Sequence, residues 1–233
     1  MFSSGVFKWN FAMRVLYLKY NHAVKIVPLS DAAVLVRFGE TIDPATNRQV
    51  HLLAAALALD PLPGLLETVP GYASLAVHYD PLALTHAQVC DWLESRLSLA
   101  SKTASRPVKM VEVPVTYDGP DLEFVAAHCR LTIAEVICLH TANPYTVYMM
   151  GFTPGFAYLG ILPQTLRVPR LDVPRPRVPA GSVGLAGVQT GIYPVESPGG
   201  WRLVGRTSLQ LFDPQRELPF LFAPGDKVRF IPA

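Results

Sequence analysis

Proline sets the tightest limit on this chain, through where it falls. Eleven of the 22 prolines lie between Pro154 and Pro224. Proline locks φ and removes a backbone donor, so it breaks helix interiors and is excluded from central strands. Between these prolines and the neighbouring glycines stand short apolar segments: "YTVYMMGF", "GSVGLAGV", "TGIYPV", "WRLVG", "SLQLF" and "DKVRFI". Many short strands separated by turn signals predict a β-barrel or β-sandwich from Tyr145 onward.

The first half has another texture. "KIVP" and "AVLVRF" read as strands. Asp43 caps a helix with Pro44 at its first position, and Val50, Leu53, Ala54 and Leu57 give it an apolar stripe. "LLETV" and "SLAVHY" read as a strand pair about the turn "PGYA". Thr85 starts a second helix with Val89, Trp92, Leu93 and Leu97 on one face. Two helices against a small antiparallel sheet make an α+β sandwich.

These signals predict an α+β chain in four parts. Residues 1–24 are expected to be an N-terminal extension outside the fold. They lack the basic n-region of a signal peptide, and Met13, Arg14, Lys19 and Tyr20 interrupt any apolar core. Residues 25–99 form the α/β sandwich, and "ASKTASRP", 100–107, the linker. Residues 108–233 form the β-barrel domain, which opens with the strand "VKMVEVPV" and two short helices. The first helix is striped by Leu122, Val125, Ala126 and Cys129. The second opens with a capping box, Thr132 and Glu135, and carries Ile133, Val136, Ile137 and His140 on one face.

Composition removes several functions. At 233 residues and half hydrophobic, the chain is long and apolar enough to bury a real core. A net charge of +2 offers no footing for nucleic acid or an acidic membrane surface. No run of eighteen apolar residues exists, so no transmembrane helix is expected. Cys90, Cys129 and Cys138 form no C-x-x-C pair and read as buried free thiols in a reducing cytoplasm. No paired-histidine, H-E-x-x-H or G-x-S-x-G motif supports a metal site or a serine hydrolase.

"GFTPGFAYLG", 151–160, packs three glycines and three rings into ten residues. It is not a phosphate loop, because Gly160 is followed by Ile161, Leu162 and Pro163 rather than by lysine and a hydroxyl. A structural turn and the wall of a pocket both fit it, since glycine permits positive φ and close backbone approach alike. "RVPRLDVPRPRVPAGSVG" sets Arg167, Arg170, Arg175 and Arg177 on a proline-stiffened segment. Such arginines suit bidentate recognition of carboxylate or phosphate; they also suit a charged edge strand that resists aggregation. His140 reads either as a core histidine with satisfied hydrogen bonds or as one aimed into a pocket.

Three blocks in order, "GFTPGFAYLG", "PRPRVPAGSVGLAGVQTGIYP" and "ESPGGWRLVGRT", resemble the signature of the 5-oxoprolinase B-subunit family, also described as KipI-type kinase inhibitors and allophanate hydrolase subunit 1. The resemblance runs from about Ile26 to Ile231 and includes "LSDAAVLVRFG" and "LHTANPYTVYMMGF". It implies a C-terminal domain of cyclophilin-like β-barrel type. It also implies a cytoplasmic assembly with subunits A and C that opens 5-oxo-L-proline to L-glutamate, with ATP, and Mg with it, as co-substrate. In that setting Arg175, Arg177 and His140 are the catalytic candidates, with Arg167 and Arg170 of lesser weight. Phe152, Phe156, Tyr158, Gly181, Ser182, Gln189, Thr190, Tyr193 and Trp201 are the candidates for substrate binding. The alternative that the same resemblance implies is a regulator that binds and inhibits a sporulation-type histidine kinase.

Overall fold

The computed structural model describes residues 14–17, 23–100 and 106–233. The chain divides into two compact units, with the boundary between 105 and 106. Most of the expected linker lies outside the described residues; its first residue, Ala100, still belongs to a helix.

The N-terminal unit is a five-stranded antiparallel sheet with two helices. Its strands are β1 (Arg14–Tyr17), β2 (Ala23–Ser30), β3 (Ala33–Arg37), β4 (Leu65–Pro70) and β5 (Ser74–Tyr79), in the order β1-β2-β3-β5-β4. Segment 1–24, expected to lie outside the fold, thus supplies a strand, β1, to this sheet. Helices α1 (Pro44–Leu59) and α2 (His86–Ala100) follow the expected signals. The Asp43 side chain accepts from the Thr46 N–H at 2.7 Å, and Pro44 stands in the first turn. Alternation along β3 and β5 and the 3.6-residue period of the helices bring Val34, Val36, Leu75, Val77, Val50, Leu53, Leu57, Val89, Leu93 and Leu97 into one core.

The C-terminal unit contains β6 (Met110–Val115), α3 (Leu122–Cys129), α4 (Ile133–Thr141), β7 (Tyr145–Met150), β8 (Ala157–Gly160), β9 (Arg175–Val178), β10 (Ser182–Ala186), β11 (Gln189–Ile192), β12 (Ser197–Gly199), β13 (Arg202–Arg206) and β14 (Lys227–Pro232). Seven strands form one sheet in the order β13-β10-β11-β8-β7-β14-β6. Its two edges meet where the Thr116 and Arg206 backbones exchange hydrogen bonds of 2.9 Å in both directions. That bridge nearly closes the sheet into a barrel and removes exposed edges. The pair β9–β12 forms a separate two-stranded ribbon.

The capping box of α4 is present in both directions, through the Thr132 and Glu135 side chains. Some expectations need correction. "SLQLF" is not a strand; only Phe212 bridges to Phe220 there. Instead "AYLG" supplies β8, since it pairs with both β7 and β11. Ile133, in the first turn of α4, is exposed. Of the three free cysteines only Cys90 is buried; Cys129 is half-buried and Cys138 exposed, because the α4 stripe turns Cys138 outward. No helix among the described residues is long and apolar enough to cross a membrane.

Candidate functional site

The predicted site residues fall on two faces of the barrel sheet. Strand β11 separates them, because its successive residues point to opposite sides. Thr190 faces the interior, and Gly191 faces outward beneath the rings of Phe156 and Trp201.

The interior set is His140, Thr190 and Tyr117. His140 is fully buried and its ring stacks on Phe230, with centroids 4.4 Å apart. The Thr190 hydroxyl donates to the Gly184 carbonyl at 3.1 Å, so its oxygen accepts from His140 Nε2–H at 3.0 Å. Nδ1 is then left to accept the Tyr117 hydroxyl proton at 2.7 Å. Burial holds the imidazole neutral, with its pKa lowered to about 3. Burial likewise raises the Tyr117 phenol, aided by Tyr145. His140 therefore matches the core-histidine reading: both nitrogens are engaged, and none of the ring is open to a substrate in this structure.

The outer set is aromatic. Phe156 is the hub, with ring centroids 4.8 Å from Tyr158, 5.2 Å from Tyr193, 5.5 Å from Trp201 and 5.5 Å from Phe152. All four contacts are edge-to-face, the arrangement that the ring quadrupole favours. The floor is the glycine pair Gly184 and Gly191, opposite each other on β10 and β11. A Cβ on Gly191 would come within 2.9 Å of the Trp201 ring and 3.1 Å of the Phe156 ring. The glycines of "GSVGLAGVQTGIYP" thus leave room for rings to sit close against the sheet. The ten-residue motif "GFTPGFAYLG" resolves in the same way. It is the β7–β8 connection and strand β8, at once a turn and an aromatic wall. Phe152 is 60% exposed and held at φ +71°, a left-handed conformation that is a genuine outlier for a bulky residue. Such strain collects at functional sites.

Gly181 and Ser182 shape a turn beside this face. Gly181 has φ +82°, and its N–H donates to the Tyr193 carbonyl at 2.7 Å. The Ser182 hydroxyl donates to the Pro179 carbonyl at 2.7 Å. Gln189 is buried on β11.

Arg175 and Arg177 share β9 but not an environment. The Arg175 guanidinium donates to Asp121 Oδ1 at 2.9 Å. Asp121 is buried, and its Oδ2 also accepts the Leu203 N–H at 2.7 Å. Arg202 lies 3.8 Å from the same carboxylate and 3.7 Å from the Phe124 ring centroid. Arg177 is 81% exposed and pairs with the exposed Glu196 at 3.3 Å. Sequence reasoning missed Asp121 and Tyr117. Asp121 stands just before an apolar helix stripe, the only local signal, and its partner Arg175 is 54 residues away.

The helix starts offer no cradle for nucleotide phosphates among the described residues. A phosphate would need their free N–H groups and positive dipole end. Asp43 already caps α1, the Gln88 side chain accepts from the Thr85 N–H ahead of α2, Asp121 stands at the start of α3, and Glu135 closes the box on α4. Among the described residues no group of three or more His, Cys, Asp or Glu is placed to hold a metal ion. Neither feature marks a place for ATP among the described residues.

Residues 24–222 match the family model described as carboxyltransferase domain, subdomain C and D. The 5-oxoprolinase B-subunit of Bacillus subtilis (strain 168) is 42% identical over 220 residues, spanning 89% of this chain and 92% of that protein. The chain belongs to the 5-oxoprolinase B-subunit family. Among solved structures, the crystal structure of TTHA0988 is 45% identical with a TM-score of 0.77; the match covers 86% of this chain and 40% of that longer one. Urea carboxylase of Kluyveromyces lactis is 20% identical with a TM-score of 0.74, covering 94% of this chain and 23% of that one. At that identity the likeness is one of fold. In both structures the shared unit is a minor part of a longer polypeptide.

Proposed function

We propose that this chain is the B-subunit of an ATP-dependent 5-oxoprolinase, which opens 5-oxo-L-proline to L-glutamate while ATP is hydrolysed to ADP and phosphate. The full-length relatedness to proteins of that name, at 42% identity, carries the reading. The site's shape supports a non-autonomous role. The aromatic face is a wall rather than an enclosure, with Phe152 exposed at its rim and the histidine sealed inside the barrel. Subunits A and C are the proposed partners, in the cytoplasm, where three free thiols persist.

A lactam carbonyl is a poor electrophile, and phosphorylation of its oxygen activates it. The activated carbonyl then needs a nearby cation and oriented donors as negative charge develops. The starts of α1, α3 and α4 carry carboxylates and that of α2 the amide of Gln88, and in this reading contact with ATP belongs to a partner protein. Arg177 can exchange the exposed Glu196 for an anion, whereas Arg175 holds β9 against α3 through Asp121. The test is glutamate release from 5-oxo-L-proline and ATP by this chain alone, by subunits A and C alone, and by all three. Turnover is expected only from the full set. Robust turnover by this chain alone, or undiminished turnover without it, overturns the proposal.

A further inference from the structure

The outer aromatic face carries a cation that no carboxylate of the described residues neutralises. Arg175 and Arg202 pair with Asp121, Arg177 with Glu196, and Arg206 with Asp118 at 2.9 Å; Arg167, three residues before Arg170, is exposed and makes no ion pair with a described residue. Arg170 is exposed, and no carboxylate of the described residues lies within ion-pair distance of it, Asp172 two residues on included. Its guanidinium carbon stands 5.9 Å from the Trp201 ring centroid, at the outer limit of a cation–π contact. Its charge reaches two phenols. At Tyr158 and Tyr193, burial raises the pKa and Arg170 draws it back.

The backbone that carries Arg170 is pinned on both sides. The Gly187 N–H donates to the Val168 carbonyl at 2.7 Å, and the Leu171 N–H donates to the Gly200 carbonyl at 2.8 Å. Arg170 thus stands on a fixed mount beside an apolar wall, rather than on a loose loop. A guanidinium next to aromatic rings suits a ligand that joins a carboxylate to a compact apolar body. A phosphoryl group would ask for several convergent cations or N–H donors, whereas the guanidinium placed beside the rings is that of Arg170 alone among the described residues.

We propose that Arg170 binds the carboxylate of the small cyclic-amide substrate, whose ring lies against Phe152 and Tyr158. The inference rests on the 5-oxoprolinase reading and deepens it. It also reverses the weight that the sequence places on the arginines, since Arg170 ranks there below Arg175 and Arg177. The carboxylate sits on C2 and keeps its charge while the bonds change at C5, so this contact is the same in the ground and transition states. Its loss therefore raises KM and leaves kcat alone.

The experiment uses the assembled complex with wild type, Arg170→Ala and Arg170→Lys, each checked for co-purification with its partners. Turnover is measured with 5-oxo-L-proline and with its neutral carboxamide, 5-oxo-L-prolinamide. For the acid, Arg170→Ala is expected to raise KM about 10- to 100-fold, the worth of one charge-assisted hydrogen-bonded pair, with little change in kcat. For the carboxamide the same variant shifts KM by less than about threefold, because the charge it would miss is gone. Arg170→Lys falls between, keeping the charge but losing the fork.

Three results overturn the assignment while leaving the 5-oxoprolinase reading intact: an unchanged KM in Arg170→Ala, an equal loss on acid and carboxamide, or a shift in the KM for ATP instead. A wild-type complex that neither turns over nor binds 5-oxo-L-proline by calorimetry overturns the parent reading, and this inference with it.

Discussion

Among the described residues the N-terminal unit buries one polar side chain, Asn47, and the C-terminal unit buries eight polar or charged ones. Asn47 does a local job, donating from Nδ2 to the Gly71 and Tyr72 carbonyls and so tying α1 to the β4–β5 turn. The eight in the barrel include Asp121, His140, Thr190 and Asp226. Asp226 accepts from Arg106 and from the Lys109 and Ala223 N–H groups. A buried polar group costs free energy unless its partners are all in place. The contrast therefore separates two ways of specifying a fold. The N-terminal unit needs the right apolar residues at the right period. The barrel needs particular pairs to meet, and it presents its aromatic face on a scaffold that those pairs hold fixed.

The comparison breaks most visibly at Asp121. Asp121→Ala strands the half-buried Arg175 guanidinium and the Leu203 N–H together. The expected cost is about 3–5 kcal/mol in urea unfolding of the full chain, as for other broken buried ion pairs. Arg175→Ala in the same background should recover part of it, because the orphaned charge goes too. A cost for Asp121→Ala below about 1 kcal/mol means that the pair is not what fixes β9, and the contrast fails there.

His140 sharpens the contrast through pH. Its folded pKa, about 3, lies below the ordinary histidine value of roughly 6.5. The unfolded chain therefore binds a proton, between those two values, that the folded barrel excludes. The stabilisation is complete above pH ~6.5 and is lost as pH falls toward the folded value, by up to about 1.4 kcal/mol per pH unit. Urea midpoints measured between about pH 7.5 and pH 5 should slope accordingly in wild type. They should flatten in His140→Gln, and an unchanged slope would show that other groups govern the acid limit.

The smallest effect is expected at Arg177. Its pair with Glu196 is exposed on both sides, so Arg177→Ala should change the melting free energy by no more than about 0.5 kcal/mol. A larger loss would place Arg177 beside Arg175 as part of the frame.

Much of the fold was legible because its signals are local. The Thr132–Glu135 capping box, Asp43 before Pro44, and the stripes of α1 and α2 each lie within one or two helical turns, and the structure carries them out. "SLQLF" misled because alternation over five residues does not show whether a neighbouring strand has a free edge to offer. β8 was overlooked for the converse reason. "AYLG" is a poor strand by itself, and it forms one because β7 and β11 flank it on both sides.

The site was legible as a set of residue types and not as an arrangement. Phe152, Phe156, Tyr158, Tyr193 and Trp201 do assemble on one face, and the glycines that seat them are plain in the sequence. His140 and Thr190 are equally plain, yet they belong to the opposite side of the sheet. The sequence by itself determined where helices start, where the glycine floor runs, and that arginines stand on stiff backbone. Only the tertiary structure decided which arginine keeps its charge available. Arg175 and Asp121 are 54 residues apart, and nothing local reveals that one cancels the other while Arg170 meets no such partner among the described residues. Periodicity acts over a few residues, whereas electrostatic pairing acts over a few ångströms, and the two lengths coincide only after the barrel has closed.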